Sequence, residues 1–137
     1  MVNTFRAYIK DENRVVPVYR ISFDGGFIFA PSKKNKLYLE TYYLNEFIMM
    51  RYVGVYDKEG VGIYEGDIVE YTISSGYHYN KIFYGVVSYD NRNAAFTLGD
   101  GPRNSRGKKT VLFTRAKNKR VIGNIYENPE LLQKVEE

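Results

Sequence analysis

Glu65-Gly66-Asp67 is the nearest approach in this sequence to a paired-carboxylate site. In an extended segment, side chains at i and i+2 share one face, and two carboxylates whose surroundings separate their pKa values can act as acid and base. The same tripeptide has a simpler reading as a strand-entry turn, in which Gly66 takes an unusual φ and Asp67 accepts backbone amides. No third or fourth acidic residue lies close in sequence to complete a cation site. The one histidine, His78, falls in Gly76-Tyr77-His78-Tyr79-Asn80, and the chain has no cysteine. A transition-metal site would then need carboxylates around a single imidazole, a poor match to common ligand sets. The serines lack a nucleophile-elbow context, and Gly60-Val61-Gly62-Ile63-Tyr64-Glu65-Gly66 lacks both the lysine of a phosphate loop and the helix context of a dinucleotide fingerprint. The expectation is a protein that is not an enzyme and carries no cofactor and no metal.

A second candidate is electrostatic. Between Arg103 and Arg120 lie eight basic residues (Arg103, Arg106, Lys108, Lys109, Arg115, Lys117, Lys119, Arg120) and no acidic one. Residues 1–102 carry 11 basic and 12 acidic side chains and residues 121–137 carry 1 and 4, so the whole formal excess of +4 resides in that segment. Such a concentration attracts phosphates or an acidic partner over about a Debye length. The competing reading is a solvated hairpin whose charges keep an edge strand from pairing. Tyr71, Tyr77, Tyr79 and Tyr84 could stack against bases or serve as core and cross-strand partners.

The elements that must position these residues are strands. Phe5, Ala7 and Ile9 alternate with polar neighbours at period 2. Val15 to Phe23 is rich in β-branched and aromatic residues, and Pro17 assigns it to a sheet edge or a bulge. Asp24-Gly25-Gly26 makes a hairpin turn into Phe27 to Ala30. Pro31 to Lys36 is a basic loop, and Leu37 to Arg51 reads equally as strand or as a helical turn at Leu44, Phe47 and Ile48. Asp57-Lys58-Glu59-Gly60 is a turn between apolar stretches. Strands then follow at Asp67 to Ile73, Ile82 to Tyr89, Ala94 to Leu98, Thr110 to Thr114 and Val121 to Tyr126, with loops at 74–81 and 99–109 and a turn at Asp90 to Asn93. Short strands at this spacing predict a small barrel or sandwich. Asn128 as a cap, Pro129 at the first helical position and Glu130 in the first turn predict one short terminal helix.

At 137 residues the chain has the length of one domain. The expected organisation is an N-terminal meander over 1–50, a barrel-like core over 51–127 and a helix over 128–137. Hydrophobic residues at 44% and charged residues at 26% match folded globular usage, and 14 Tyr with 8 Phe favour pleated surfaces. Absent cysteines suit a reducing compartment. Met1-Val2-Asn3-Thr4-Phe5-Arg6 lacks a secretory pattern, and no apolar run reaches membrane-spanning length. A cytoplasmic protein with no membrane contact is expected.

Three blocks carry a family resemblance: Phe5-Arg6-Ala7-Tyr8 with Asp11-Glu12-Asn13; Tyr52 to Gly60 running into Ile63-Tyr64-Glu65-Gly66-Asp67-Ile68-Val69; and Val121-Ile122-Gly123-Asn124-Ile125-Tyr126-Glu127-Asn128-Pro129-Glu130-Leu131-Leu132. In these the chain resembles the YopX family of phage and prophage proteins. It departs from that pattern at Tyr8, at Arg51-Tyr52 and in a longer stretch from Asp24 to Tyr43. The resemblance implies a β-rich fold, a phage or prophage origin in a bacterial host and an unassigned biochemical role; it supplies no catalytic residues. The segment from Glu65 to Val69 also looks like the entry strand of SH3-like barrels, an analogy of fold that does not fix function. The leading expectation is a binding or assembly protein, as a homo-oligomer or with a phage or host protein. Nucleic-acid binding through 103–120 is the alternative, and a carboxylate hydrolase built on Glu65 and Asp67 the third.

Overall fold

The computed structural model describes residues 3–73, 81–99 and 110–136. The chain is mainly β, its strands pair antiparallel, and it divides into two compact units, Met1–Tyr52 and Val53–Glu137.

In the first unit the alternating segment forms β1 (Phe5–Ile9), with Ala7 and Ile9 buried as the period-2 pattern requires. A 3-10 turn at Lys10–Glu12 ends at Asn13 in the left-handed region, φ 50°, which asparagine tolerates. The chain returns as β2 (Arg14–Pro17), the outer strand beside β1. Pro17 thus lies at a sheet edge, where its missing N–H leaves no gap in the ladder. The single strand expected from Val15 to Phe23 is instead two. After Pro17 the chain passes through buried Val18 to a second sheet, where β3 (Arg20–Ser22), β4 (Phe27–Pro31) and β5 (Leu39–Tyr43) lie in that order. The Asp24-Gly25-Gly26 turn joins β3 to β4: the Gly26 N–H donates to Ser22 O at 3.0 Å and Gly26 takes φ +67°. Inward side chains of the two sheets, among them Ile9, Val16, Ile28, Ala30, Tyr42 and Phe47, form one core. The ambiguous stretch resolves into β5, a 3-10 turn at Leu44–Glu46 and the long β6 (Phe47–Tyr56), whose first half pairs with β1.

In the second unit, β7 (Gly62–Tyr64) bonds to β6. A five-stranded sheet follows in the order β11-β10-β9-β8-β12, from β8 (Asp67–Thr72), β9 (Ile82–Asp90), β10 (Ala95–Gly99), β11 (Val111–Leu112) and β12 (Lys117–Asn124). Ile63, Val69, Tyr71, Val87, Leu98, Phe113 and Ala116 make its core. Ile68 and Val86 are fully buried and Ile122 half-buried.

Three local expectations are corrected. Strand Thr110 to Thr114 shortens to β11, because the chain turns through a 3-10 segment at Phe113–Arg115 that carries the Phe113 ring inward. The last strand runs from Lys117 to Asn124, with register shifts against β8 and Asn118 at φ 53°; it stops where Asn124 Oδ1 accepts the Tyr126 and Glu127 N–H groups. The terminal segment is a 3-10 turn at Pro129–Leu131 followed by α1 (Leu132–Glu136). Asn128 does not cap it with its side chain. Its Oδ1 accepts the Asn124 N–H at 3.1 Å, while its backbone oxygen accepts the Leu131 N–H.

Candidate functional site

The outer face of the β3-β4-β5 sheet follows from the register. β4 pairs Phe27 with Tyr43, Phe29 with Thr41 and Pro31 with Leu39, and β3 sets Arg20 opposite Phe29. Alternation therefore puts Arg20, Phe27, Phe29, Leu39, Thr41 and Tyr43 on one face, opposite buried Ile28, Ala30 and Tyr42. Phe27 meets Phe29 edge-on at 5.4 Å and Tyr43 edge-on at 6.0 Å. In the segments flanking these strands, Phe23, Leu37 and Leu44 are 84%, 91% and 71% exposed. A shallow depression lined by Gly25, Gly26, Tyr43, Leu44 and Asn45 opens at one end, and the exposed Lys33, Lys34 and Lys36 follow β4 at the other. The surface is apolar with lysines at one end and Asp24 at the other.

The basic segment is partly absorbed by the fold. Arg103, Arg106, Lys108 and Lys109 lie outside the described residues. Arg120 Nη2 donates to Glu70 Oε2 at 3.1 Å and its Nε stands 3.7 Å from Glu59. Lys119 Nζ donates to Ala116 O at 2.7 Å and sits 4.9 Å from the Phe113 ring centre, and burial pushes its pKa below the usual lysine value. Arg115 and Lys117 are exposed.

Glu65-Gly66-Asp67 is a turn. Gly66 takes φ +86°, a conformation that disfavours any side chain. Asp67, 1% exposed, accepts the Tyr64 N–H through Oδ2 at 2.9 Å. Glu65 is half-exposed, and the two residues do not share one strand face. Of the tyrosines, Tyr71 is buried and stacked on Phe83 at 5.7 Å, while Tyr84 is half-buried under Lys134 Nζ at 5.0 Å. Tyr77, His78 and Tyr79 lie outside the described residues.

Two polar sites go beyond the sequence reading, which gave Asp57 only as the start of a turn and did not single out Tyr42. In the first unit the buried Tyr42 hydroxyl lies 2.9 Å from Glu12 Oε2 and 3.1 Å from Glu40 Oε2, so its one proton serves one carboxylate at a time, and Arg14 Nη2 donates to the phenol oxygen at 3.0 Å. Burial and the two carboxylates push the phenol well above the ordinary tyrosine range. In the second unit Asp57 Oδ1 accepts the Glu59 and Val61 N–H groups and Oδ2 that of Val121. Burial alone would raise its pKa; these hydrogen bonds and the Arg120 charge outweigh that and hold it below the usual aspartate value. Among the described residues no group of three or more His, Cys, Asp and Glu side chains is arranged to hold a metal ion, and no helix is long and apolar enough to cross a membrane.

A family model described as YopX protein matches residues 4–133. The chain belongs to the YopX family. Its fold is similar to that of protein EF1440 from Enterococcus faecalis, solved by crystallography, with 24% identity, a TM-score of 0.57, and coverage of 96% of this chain and 99% of that one. No curated protein matches. The YopX match spans both compact units, so the apolar sheet face, the Tyr42 cluster and the described part of the basic segment all lie within it.

Proposed function

We propose that this YopX protein is a non-enzymatic binding or assembly protein of a phage or prophage, acting in the cytoplasm of the bacterial host through the outer face of the β3-β4-β5 sheet. One observation carries the reading: Phe23, Leu37 and Leu44, in the segments flanking strands that bear an aromatic cluster, stand more than two-thirds exposed. Burying a Phe or Leu side chain gains about 1.5–3 kcal/mol, so several large apolar side chains left in water beside one sheet favour a surface that a partner covers. Aromatic residues at the centre with charge at the rim are the composition of protein interfaces.

Photo-crosslinking side chains placed at Phe23 or Leu37 in cells test this. Covalent adducts of defined mass are expected there and not from a control position at Asn91; equal or absent labelling at all three would overturn the reading. The exposed Arg115 and Lys117 support the second reading, a nucleic-acid contact. Its signature is an affinity that falls linearly in log salt.

A further inference from the structure

The β5 strand offers more than an apolar face, because among the described residues its outer edge has no neighbouring strand. The Ser32 N–H donates to Tyr38 O at 2.8 Å. In an antiparallel ladder, bonded pairs alternate with unbonded ones, so that contact fixes the phase: Glu40 and Tyr42 direct their backbone groups at β4, and Leu39, Thr41 and Tyr43 direct theirs at the open edge. The Tyr43 N–H confirms the phase, since it leaves the sheet to donate to Glu46 Oε1 at 3.0 Å. Among the described residues, the N–H and C=O of Leu39 and of Thr41 and the C=O of Tyr43 have no backbone partner. Natural edge strands are usually blunted by lysine, proline or a bulge. Leu39-Glu40-Thr41-Tyr42-Tyr43 contains none of these, and its one charge, Glu40, is engaged on the inner face by Ser32 and Tyr42.

We infer that two copies of this chain pair through their β5 edges, antiparallel about a two-fold axis at Thr41, making one continuous six-stranded sheet. The inference goes beyond the binding reading above, since pairing through the edge extends the outer face and leaves Phe23, Phe27 and Phe29 open to a partner. In that register Thr41 bonds reciprocally to Thr41 of the partner subunit, and the Leu39 N–H donates to the C=O of the partner's Tyr43. The Tyr43 N–H already donates to Glu46 Oε1, so the partner's Leu39 C=O gains no donor there and the ladder ends. On the outer face Leu39 lies across from the partner's Tyr43, a cross-strand apolar pair continuous with Phe27. Lys36 precedes the strand and Glu46 follows it, so antiparallel pairing brings opposite charges to each end. The arrangement is isologous and closes on itself. A parallel or shifted pairing would lose the Leu39 to Tyr43 match and the charge match together.

Thr41 is exposed and sits on the proposed axis. Its side chain lies on the outer face opposite Phe29, so it can be changed without touching the core. In light scattering over a concentration series, the wild-type chain should approach twice the mass of a single chain. Thr41→Lys and Thr41→Glu each oppose like charges across the axis and should raise the dissociation constant about tenfold. An equimolar mixture of the two should recover the dimer, a result that general destabilisation cannot produce. Thr41→Val should dimerise as the wild type does. A wild type that stays monomeric, or lysine and glutamate variants that dimerise as well as wild type, overturns the inference. A monomer whose Phe23 or Leu37 crosslinks reach a different protein overturns the homotypic pairing and leaves the binding reading standing, whereas a monomer with no crosslinks overturns both.

Discussion

Val121 donates its backbone N–H to Asp57 Oδ2 at 2.9 Å across 64 positions of sequence. The other oxygen of the same carboxylate closes the turn after β6 through Glu59 and Val61, and the Lys58 N–H reaches Lys119 O at 2.9 Å beside it. One buried side chain therefore fastens a local turn to the bulged strand β12. Asp57→Asn keeps the shape but presents an amide N–H₂ to a backbone donor. Leaving a buried donor unsatisfied costs about 1–3 kcal/mol, and urea unfolding at neutral pH should show that loss. Because the carboxyl is held below its ordinary value, its contribution is present above the unfolded aspartate pKa of about 3.9 and disappears as pH falls through the folded value. The gap between wild type and variant should be flat from neutral pH down to about 4 and close below that.

Tyr42 gives the opposite dependence. Its raised pKa means that the folded chain holds the phenol proton more tightly than the unfolded chain. The stabilisation is complete below the unfolded tyrosine pKa of about 10 and is lost as pH climbs beyond it. Tyr42→Phe removes the one donor that lies between Glu12 and Glu40 and the acceptor for Arg14. It should cost about 1–3 kcal/mol at neutral pH. Unfolding measured at a series of alkaline pH values should show a shallower decline in the variant, although Tyr71 and Tyr126, also raised by burial, keep part of the slope.

These two sites mark where sequence reading stops. Period-2 alternation identified β1, turn chemistry located Asp24 to Gly26 and Asp57 to Gly60, and Pro17 indicated an edge; each is a local signal with a local physical cause. The Tyr42 cluster joins residues up to 30 positions apart, and nothing in the spacing of Glu12, Arg14 and Glu40 announces it. The apolar face was hidden for a different reason. Both faces of β4 and β5 carry aromatic or aliphatic residues, so hydrophobicity cannot distinguish core from surface there. Leu44, Phe47 and Ile48 suggested a helical turn; the structure exposes Leu44 and Ile48 and buries Phe47, as a 3-10 turn entering a strand does.

Glu65 and Asp67 should separate cleanly under mutation. Asp67 is buried and holds the Tyr64 N–H, so Asp67→Ala removes an acceptor from a closed environment and should cost about 1–3 kcal/mol. Glu65→Gln changes a half-exposed group and should stay within about 0.5 kcal/mol of wild type. A thermal melt of each variant checks the contrast. A paired-carboxylate site would instead show both variants folding normally and both losing a hydrolytic activity.

The last contrast concerns which cations of the basic segment belong to the fold. Lys119 spends its ammonium on the Ala116 carbonyl and the face of Phe113, a hydrogen bond and a cation–π contact on a partly buried stem. Together these are worth about 1–2 kcal/mol, so Lys119→Ala should lower the unfolding midpoint measurably. Lys117, two residues earlier on the same strand, is exposed, and Lys117→Ala should fall within about 0.5 kcal/mol of wild type. Alternation alone would group the two lysines on one face of β12. The register shift between Lys117 and Arg120 breaks that equivalence, leaving Lys117 in solvent while Lys119 reaches the core ring. Equal losses from the two variants would mean that the bulge does not separate them.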